Sequence, residues 1–334
     1  MRTGSIVIFL MLSMLAAGWM SVRWRPELPK NFPQPLNDKL NTGIKRTAIQ
    51  LGRYLFFDPI LSADSSISCA SCHSSLNAFA HNDHALSHGI GDSILKRNAP
   101  ALFNLAWQSS FMWDGSIHRL YAQPIVPIEN KKEMGSSLKE VLFRLNRSEF
   151  YRKQLQLVYR KANWDTDALL LALEAFQLSL ISADSKYDKV QRGEVGVALS
   201  LQEQSGYRLF QQKCSSCHRE PLFSDFSFQR NFLAGNVLAD LGRYEVTGQR
   251  MDSFRFKVPS LRNLKYTMPY MHDGRFNTLS QVVKHYSSLG QLNGASMLLT
   301  DNEQRDLIAF LFALTDEGFV RNKNHHFPKE RISD

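Results

Sequence analysis

The chain of 334 residues is 43% hydrophobic and 21% charged, with 18 Gly and 12 Pro; this excludes disorder, a collagen-like repeat and a polytopic membrane protein, and predicts about two domains of ordinary size. Its formal charge of +9 is spread along the sequence, with no Lys/Arg block and no aromatic-interleaved basic stretch, so a solvated basic surface is expected and no nucleic-acid partner. Four cysteines are too few to staple a fold of this length and need another use.

Residues 5–22 (SIVIFLMLSMLAAGWMSV) carry no charge, follow Met1-Arg2 and precede a more polar, Pro-rich stretch. Such a segment reads as a signal peptide or an N-terminal membrane anchor, assigned here to residues 1–24, and it directs the rest of the chain out of the cytoplasm. The expected compartment is the periplasm of a bacterial cell envelope, with attachment to the inner membrane if the segment is retained.

Leu51-Gly52-Arg53-Tyr54-Leu55-Phe56 follows as a short helix with one apolar face, leading to Cys69-Ala70-Ser71-Cys72-His73. Beyond it stand Pro100-Ala101-Leu102-Phe103-Asn104-Leu105 and Met112-Trp113-Asp114-Gly115. Residues 165–182 (DTDALLLALEAFQLSLIS) predict a helix opened by an acidic cap. Residues 185–200, polar and containing Gly193 and Gly196, predict a linker.

The pattern then recurs. Ser205-Gly206-Tyr207-Arg208-Leu209-Phe210 precedes Cys214-Ser215-Ser216-Cys217-His218, and Pro259-Ser260-Leu261-Arg262-Asn263-Leu264 and Met271-His272-Asp273-Gly274 come after it. These last two blocks repeat their earlier counterparts at a constant offset of 159 residues, as from Pro100 to Pro259 and from Trp113 to His272. No run of alternating strands interrupts them. The expected fold is mainly α, built from two duplicated cytochrome c-type haem domains, residues 36–184 and 201–334.

Independent placement of four Cys and ten His would give on the order of 10⁻³ C-x-x-C-H pentapeptides in such a chain, against the two present. The motif sets two thiols to add to the vinyl groups of one haem while the adjacent histidine reaches the iron. A shared zinc site would leave His73 and His218 idle, a thioredoxin-like pair needs a βαβ context, and two small disulfides again leave the histidines unexplained. The sequence therefore predicts two covalently bound haem c groups, on Cys69/Cys72 and Cys214/Cys217, with His73 and His218 as iron ligands.

With these motifs in place, the chain resembles the bacterial di-haem cytochrome c peroxidase family and its MauG-like branch. The resemblance runs from about residue 44 to 314 and is carried by LGRYLFFDPILSADSSISCASCH, RNAPALFN, FMWDG, PIENKKEMG, FKVPSLRN and TMPYMHDGRFNTLSQVVKHY. It implies that Trp113 lies between the two haems, and that one Ca²⁺ is shared by the Asn98 side chain and the Thr267 and Pro269 carbonyls, an oxygen set suited to that ion. At the second haem the matching sixth ligand is Tyr286, as in the MauG-like branch, where conventional enzymes use Met; Met268, Met271 and His285 are the alternatives. At the first haem His88, in a loop with His81 and His84, stands nearest the expected ligand position. Glu129 is the expected distal acid/base residue, followed by Glu140 and then Glu133.

The resemblance thus implies a peroxidase that reduces hydrogen peroxide with electrons from a periplasmic donor protein, such as a small cytochrome. Oxidation of residues in a partner protein, as in the MauG-like branch, and a non-enzymatic di-haem electron carrier are the alternatives. A homodimer is compatible with either enzyme.

Overall fold

The computed structural model describes residues 23–233, 240–292 and 294–329. The segment read as signal peptide or anchor lies outside them up to residue 22. Among the described residues no helix is long and apolar enough to cross a membrane.

The fold is mainly helical, as expected. Its longer helices are α1 (Arg46–Phe57), α2 (Leu138–Arg147), α3 (Glu149–Tyr159), α4 (Thr166–Leu178), α5 (Lys186–Gln191), α6 (Leu201–Lys213), α7 (Leu279–Ser288) and α8 (Asp301–Phe312). Among the described residues six short strands pair as antiparallel ribbons: β1 (Arg23–Trp24) with β2 (Ile44–Lys45), β3 (Phe228–Arg230) with β4 (Arg255–Lys257), and β5 (Gln291–Leu292) with β6 (Ala295–Ser296).

Helix α1 buries Ala48, Leu51, Leu55 and Phe56, spaced to share one face, and stops at Asp58-Pro59, where Asp58 accepts a hydrogen bond from the Ile60 amide at 2.8 Å. It crosses α4, whose N-cap Asp165 accepts from the Ala168 amide at 2.9 Å and whose Ala/Leu surface is buried on nearly every side. Gly52 sets the depth of this crossing, because a Cβ there would stand 1.9 Å from the Ala172 carbonyl oxygen. The same arrangement recurs between α6 and α8, where a Cβ on Gly206 would meet the Asp306 carbonyl oxygen at 1.9 Å. In both crossings a phenylalanine, Phe176 or Phe310, packs beside the glycine.

Two apolar clusters result. One gathers Phe32 through Leu180 with Leu222, Phe319 and Val320; the other runs from Tyr187 to Leu314. Each fully buried Leu or Phe contributes about 1.5–3 kcal/mol over its exposed state. The stretch expected as linker opens with α5, which delivers Tyr187 to the second cluster and Asp188 to a buried bidentate pair with Arg262, 2.7 Å on both arms. Beyond Val320 the chain lies against the first cluster, where Arg53 donates to the carbonyls of His326 at 2.7 Å and Lys323 at 3.0 Å.

Candidate functional site

Cys69–Cys72 forms one helical turn, opened by a reciprocal cap between Ser68 and Ser71 and closed by the His73 amide donating to the Cys69 carbonyl at 2.9 Å. The turn puts both thiols on one side and projects His73 beyond them. His73 Nδ1 donates to the Phe79 carbonyl at 3.0 Å, which fixes the tautomer and leaves Nε2 as a free lone pair. His218 is held likewise, its Nδ1 lying 3.1 Å from the carbonyls of both Phe223 and Pro259. Burial drives the His73 imidazole down to about 4 and lowers that of His218, so both rings are neutral donors. Orientation of a ligating imidazole through its other nitrogen is what a metal-binding histidine requires.

None of the four thiols is in a disulfide. Burial pushes Cys69 and Cys214 up to about 12 and Cys72 to about 11. Among the described residues no three His, Cys, Asp or Glu side chains gather to hold a metal ion, so the two pairs do not converge on a shared zinc. Instead both pentapeptides line one cavity of about 1230 Å³, beyond the roughly 300–1,000 Å³ of an ordinary ligand pocket. Paired thiols, free imidazole nitrogens and a large apolar chamber together fit two covalently attached haems.

Trp113 lines this cavity, its indole N–H donating to the Asn98 carbonyl at 2.8 Å. Its ring meets His272 edge to face, with centroids 6.5 Å apart. The backbones join these halves reciprocally. The Asn98 amide donates to the His272 carbonyl and the Lys257 amide donates to the Trp113 carbonyl, each at 2.7 Å and each residue 159 positions from its counterpart. Local conformation repeats as well: Met112 and Met271 have φ of 68° and 74°, and the bridges Phe111–Ile117 and Tyr270–Phe276 close both blocks. His272 is buried, stacked 3.7 Å from Phe256, and accepts from the Asn231 side chain at 3.1 Å; burial takes its imidazole down to about 4.

Asn98 is buried and its Nδ2 donates to the Ala85 carbonyl at 3.0 Å, leaving Oδ1 as an acceptor. Thr267 and Pro269 line the same cavity. Tyr286 reaches it from α7, on the face it shares with Leu279 and Val283, which line the cavity beside it; burial, with the Cys214 and Cys217 sulfurs nearby, pushes the phenol up to about 12.

Three expected residues stand elsewhere. Glu129 is exposed at the end of the turn Ile125–Glu129, where Ile128 takes the inward position and the Glu129 carboxylate lies 3.5 Å from the Leu138 amide. Glu140 is exposed too, engaged with Ser137 at the start of α2. His88 turns its ring away from the cavity, 2.5 Å from Asp92 through Nδ1 and stacked 4.6 Å from His84.

The cavity receives Glu133 instead. A tight reversal closes after Asn130, with the amides of Glu133 and Gly135 both donating to the Asn130 carbonyl at 2.9 Å, and swings Glu133 inward. Burial raises its carboxyl, opposed by a 2.9 Å bond from the Asn130 side chain. Gln123 and Pro127 line the cavity with it. Pro127 is the 159-residue counterpart of Tyr286.

A family model described as di-haem cytochrome c peroxidase matches residues 46–196. Cytochrome c peroxidase Ccp of Escherichia coli is 36% identical over 297 residues, 86% of this chain but 62% of its own length, so the chain spans less than two thirds of that relative. Methylamine utilization protein MauG of Methylorubrum extorquens is 34% identical over 307 residues, covering 86% of this chain and 83% of that protein. The chain belongs to the di-haem cytochrome c peroxidase family. Membership brings two haem groups and places the protein among peroxidase oxidoreductases. Among solved structures, a MauG-like protein associated with microbial copper homeostasis superposes with a TM-score of 0.82 at 28% identity, covering 91% of this chain and 99% of that one.

Proposed function

We propose that the chain is a c-type di-haem peroxidase of the periplasm, built of two duplicated haem domains, that reduces hydrogen peroxide with electrons from a donor protein. The observation that carries this reading is one cavity lined by both C-x-x-C-H turns, in which Pro127 and Tyr286 occupy counterpart positions. Proline has no group with which to ligate iron, whereas a phenol does. Cys69 and Cys72 would hold one haem with His73 as ligand, and Cys214 and Cys217 the other with His218 and Tyr286. Beside the first haem the counterpart position would offer iron no side-chain ligand, leaving room for peroxide.

Haem iron supplies the redox chemistry when bound. Glu133 takes the proton from one peroxide oxygen and returns it to the other, so that water leaves; its burial keeps the carboxyl nearer neutrality than an exposed glutamate. Gln123, on the same wall, orients the peroxide by hydrogen bonding. Trp113 lies where an aromatic ring can pass electrons between the two halves. Asn98 Oδ1 with the Thr267 and Pro269 carbonyls would hold Ca²⁺, steadying the loops around Trp113.

Tyr286 also favours a second reading, oxidation of residues in a partner protein. A phenolate is a hard anionic donor that favours oxidised iron, so oxidising equivalents persist long enough to be used at a distance. The test is peroxide consumption by the purified holoprotein with reduced small cytochrome c as donor. Rapid consumption supports the donor-fed peroxidase; slow consumption with cross-linking or oxidation of a partner supports the second reading. A two-haem protein inert to peroxide would sink both.

A further inference from the structure

Several cations line the cavity, and those with acid partners are spoken for: Arg97 is held by Asp114 and Asp240, Lys96 by Glu245 and Arg262 by Asp188. Two others, Arg255 and Lys257, occupy alternate positions of β4, are half-buried, and have no ion-pair partner among the described residues. Arg255 donates through Nη1 to the Phe228 carbonyl at 3.2 Å, while its Nε is buried with no hydrogen-bond partner. Lys257 donates through Nζ to Gln108 Oε1 and to the Ser110 carbonyl, both at 2.7 Å, and an ammonium has a third N–H to give. Burial pulls that ammonium down to about 7, with only Asp114, already committed to Arg97, as compensating charge. Two desolvated cations on one short strand, facing a chamber built for a dianionic cofactor, call for anionic partners.

We propose that β4 is a carboxylate clamp, in which Arg255 and Lys257 receive propionate groups of one of the two haems this cavity would hold. The Arg255 guanidinium offers a planar fork suited to a carboxylate, and Lys257 a compact point charge. The strand that makes the clamp also holds the contact between the halves: Phe256, between the two cations, stacks on His272, and the Lys257 amide bonds the Trp113 carbonyl. Haem position and ring contact are thereby fixed by the same three residues.

This inference rests on the two-haem reading, and the experiment separates them. Haem content of the full-length wild-type holoprotein is counted by pyridine haemochrome; fewer than two haems overturns that reading and the clamp with it. With two haems present, Lys257→Met and Arg255→Gln are compared with Lys257→Arg and Arg255→Lys by resonance Raman and redox titration. The neutral variants are expected to shift the haem propionate-bending band and to lower one of the two midpoint potentials, because loss of a positive charge favours ferric iron. The charge-conserving variants restore both. Lys257→Gln, which keeps a donor for the Ser110 carbonyl, replaces Lys257→Met if the latter does not fold. An unmoved propionate band in the neutral variants overturns the clamp, whether or not the potentials shift.

Discussion

Trp113 and His272 stand at the same point of two blocks 159 residues apart and touch, ring centroids 6.5 Å apart and planes inclined at 71°. A residue and its own counterpart meet only near an axis relating the two halves. Trp113→Phe keeps an aromatic edge on His272 but removes the indole N–H given to Asn98. Steady-state peroxide turnover should fall about tenfold or more, a loss near 1.4 kcal/mol of barrier, with haem content unchanged. Turnover within a factor of about two of wild type would remove Trp113 from the electron path.

Glu133→Gln should reduce kcat/KM for peroxide by about 10²- to 10⁴-fold, the usual worth of a positioned acid/base. Glu129→Gln and Glu140→Gln should change it little, since both carboxylates face solvent. Burial raises the Glu133 carboxyl, so its proton is retained to higher pH than on an exposed glutamate. Activity that needs the carboxylate is therefore lost as pH falls through that raised value, and the Gln variant should lack this acid limb in a kcat/KM profile.

The cysteines give a count. Cys69→Ala with Cys72→Ala should leave one covalent haem by pyridine haemochrome, and Cys214→Ala with Cys217→Ala the other one. Retention of two in either double variant contradicts the assignment of one haem to each pair.

At the second haem, Tyr286→Phe should change the ferric absorption and paramagnetic resonance spectra of one haem only, because the buried phenol is removed while His218 stays in place. Identical spectra would show that Tyr286 packs beside the iron without ligating it.

Arg262→Met strands the buried Asp188 carboxylate, costing about 3–5 kcal/mol and lowering Tm by on the order of 10 °C. Burial alone would raise the Asp188 carboxyl, but the Arg262 bonds and charge outweigh it and hold it below the ordinary range. A depressed carboxylate contributes stability above its unfolded value near 3.9, lost as pH falls through the lower folded value. Denaturant titration of wild type and Asp188→Asn should show this acid-dependent loss only in wild type.

The haem motifs, the repeated blocks and the helical class were legible in the sequence because each rests on local spacing. The Cys69–Cys72 turn is closed by contacts within five residues, and α1 and α6 announce themselves by an apolar face. The distal wall was less legible. The resemblance ranks Glu129 ahead of Glu133, but the reversal at Asn130–Gly135 sends Glu129 to solvent and Glu133 inward, and that reversal depends on main-chain bonds no periodicity reveals. His88 shows the other limit, since its loop is fixed by distant contacts, Asn98 bonding the Ala85 carbonyl and Ile90 the Glu133 carbonyl.

The paired bonds from Asn98 to His272 and from Lys257 to Trp113 run entirely through the main chain. Those two bonds ask nothing of the side chains at those four positions. Indole could come to face imidazole without loosening either of them. Divergence between the two halves is freest where the main chain alone makes the join, since a ring can then change there while both bonds stay in place.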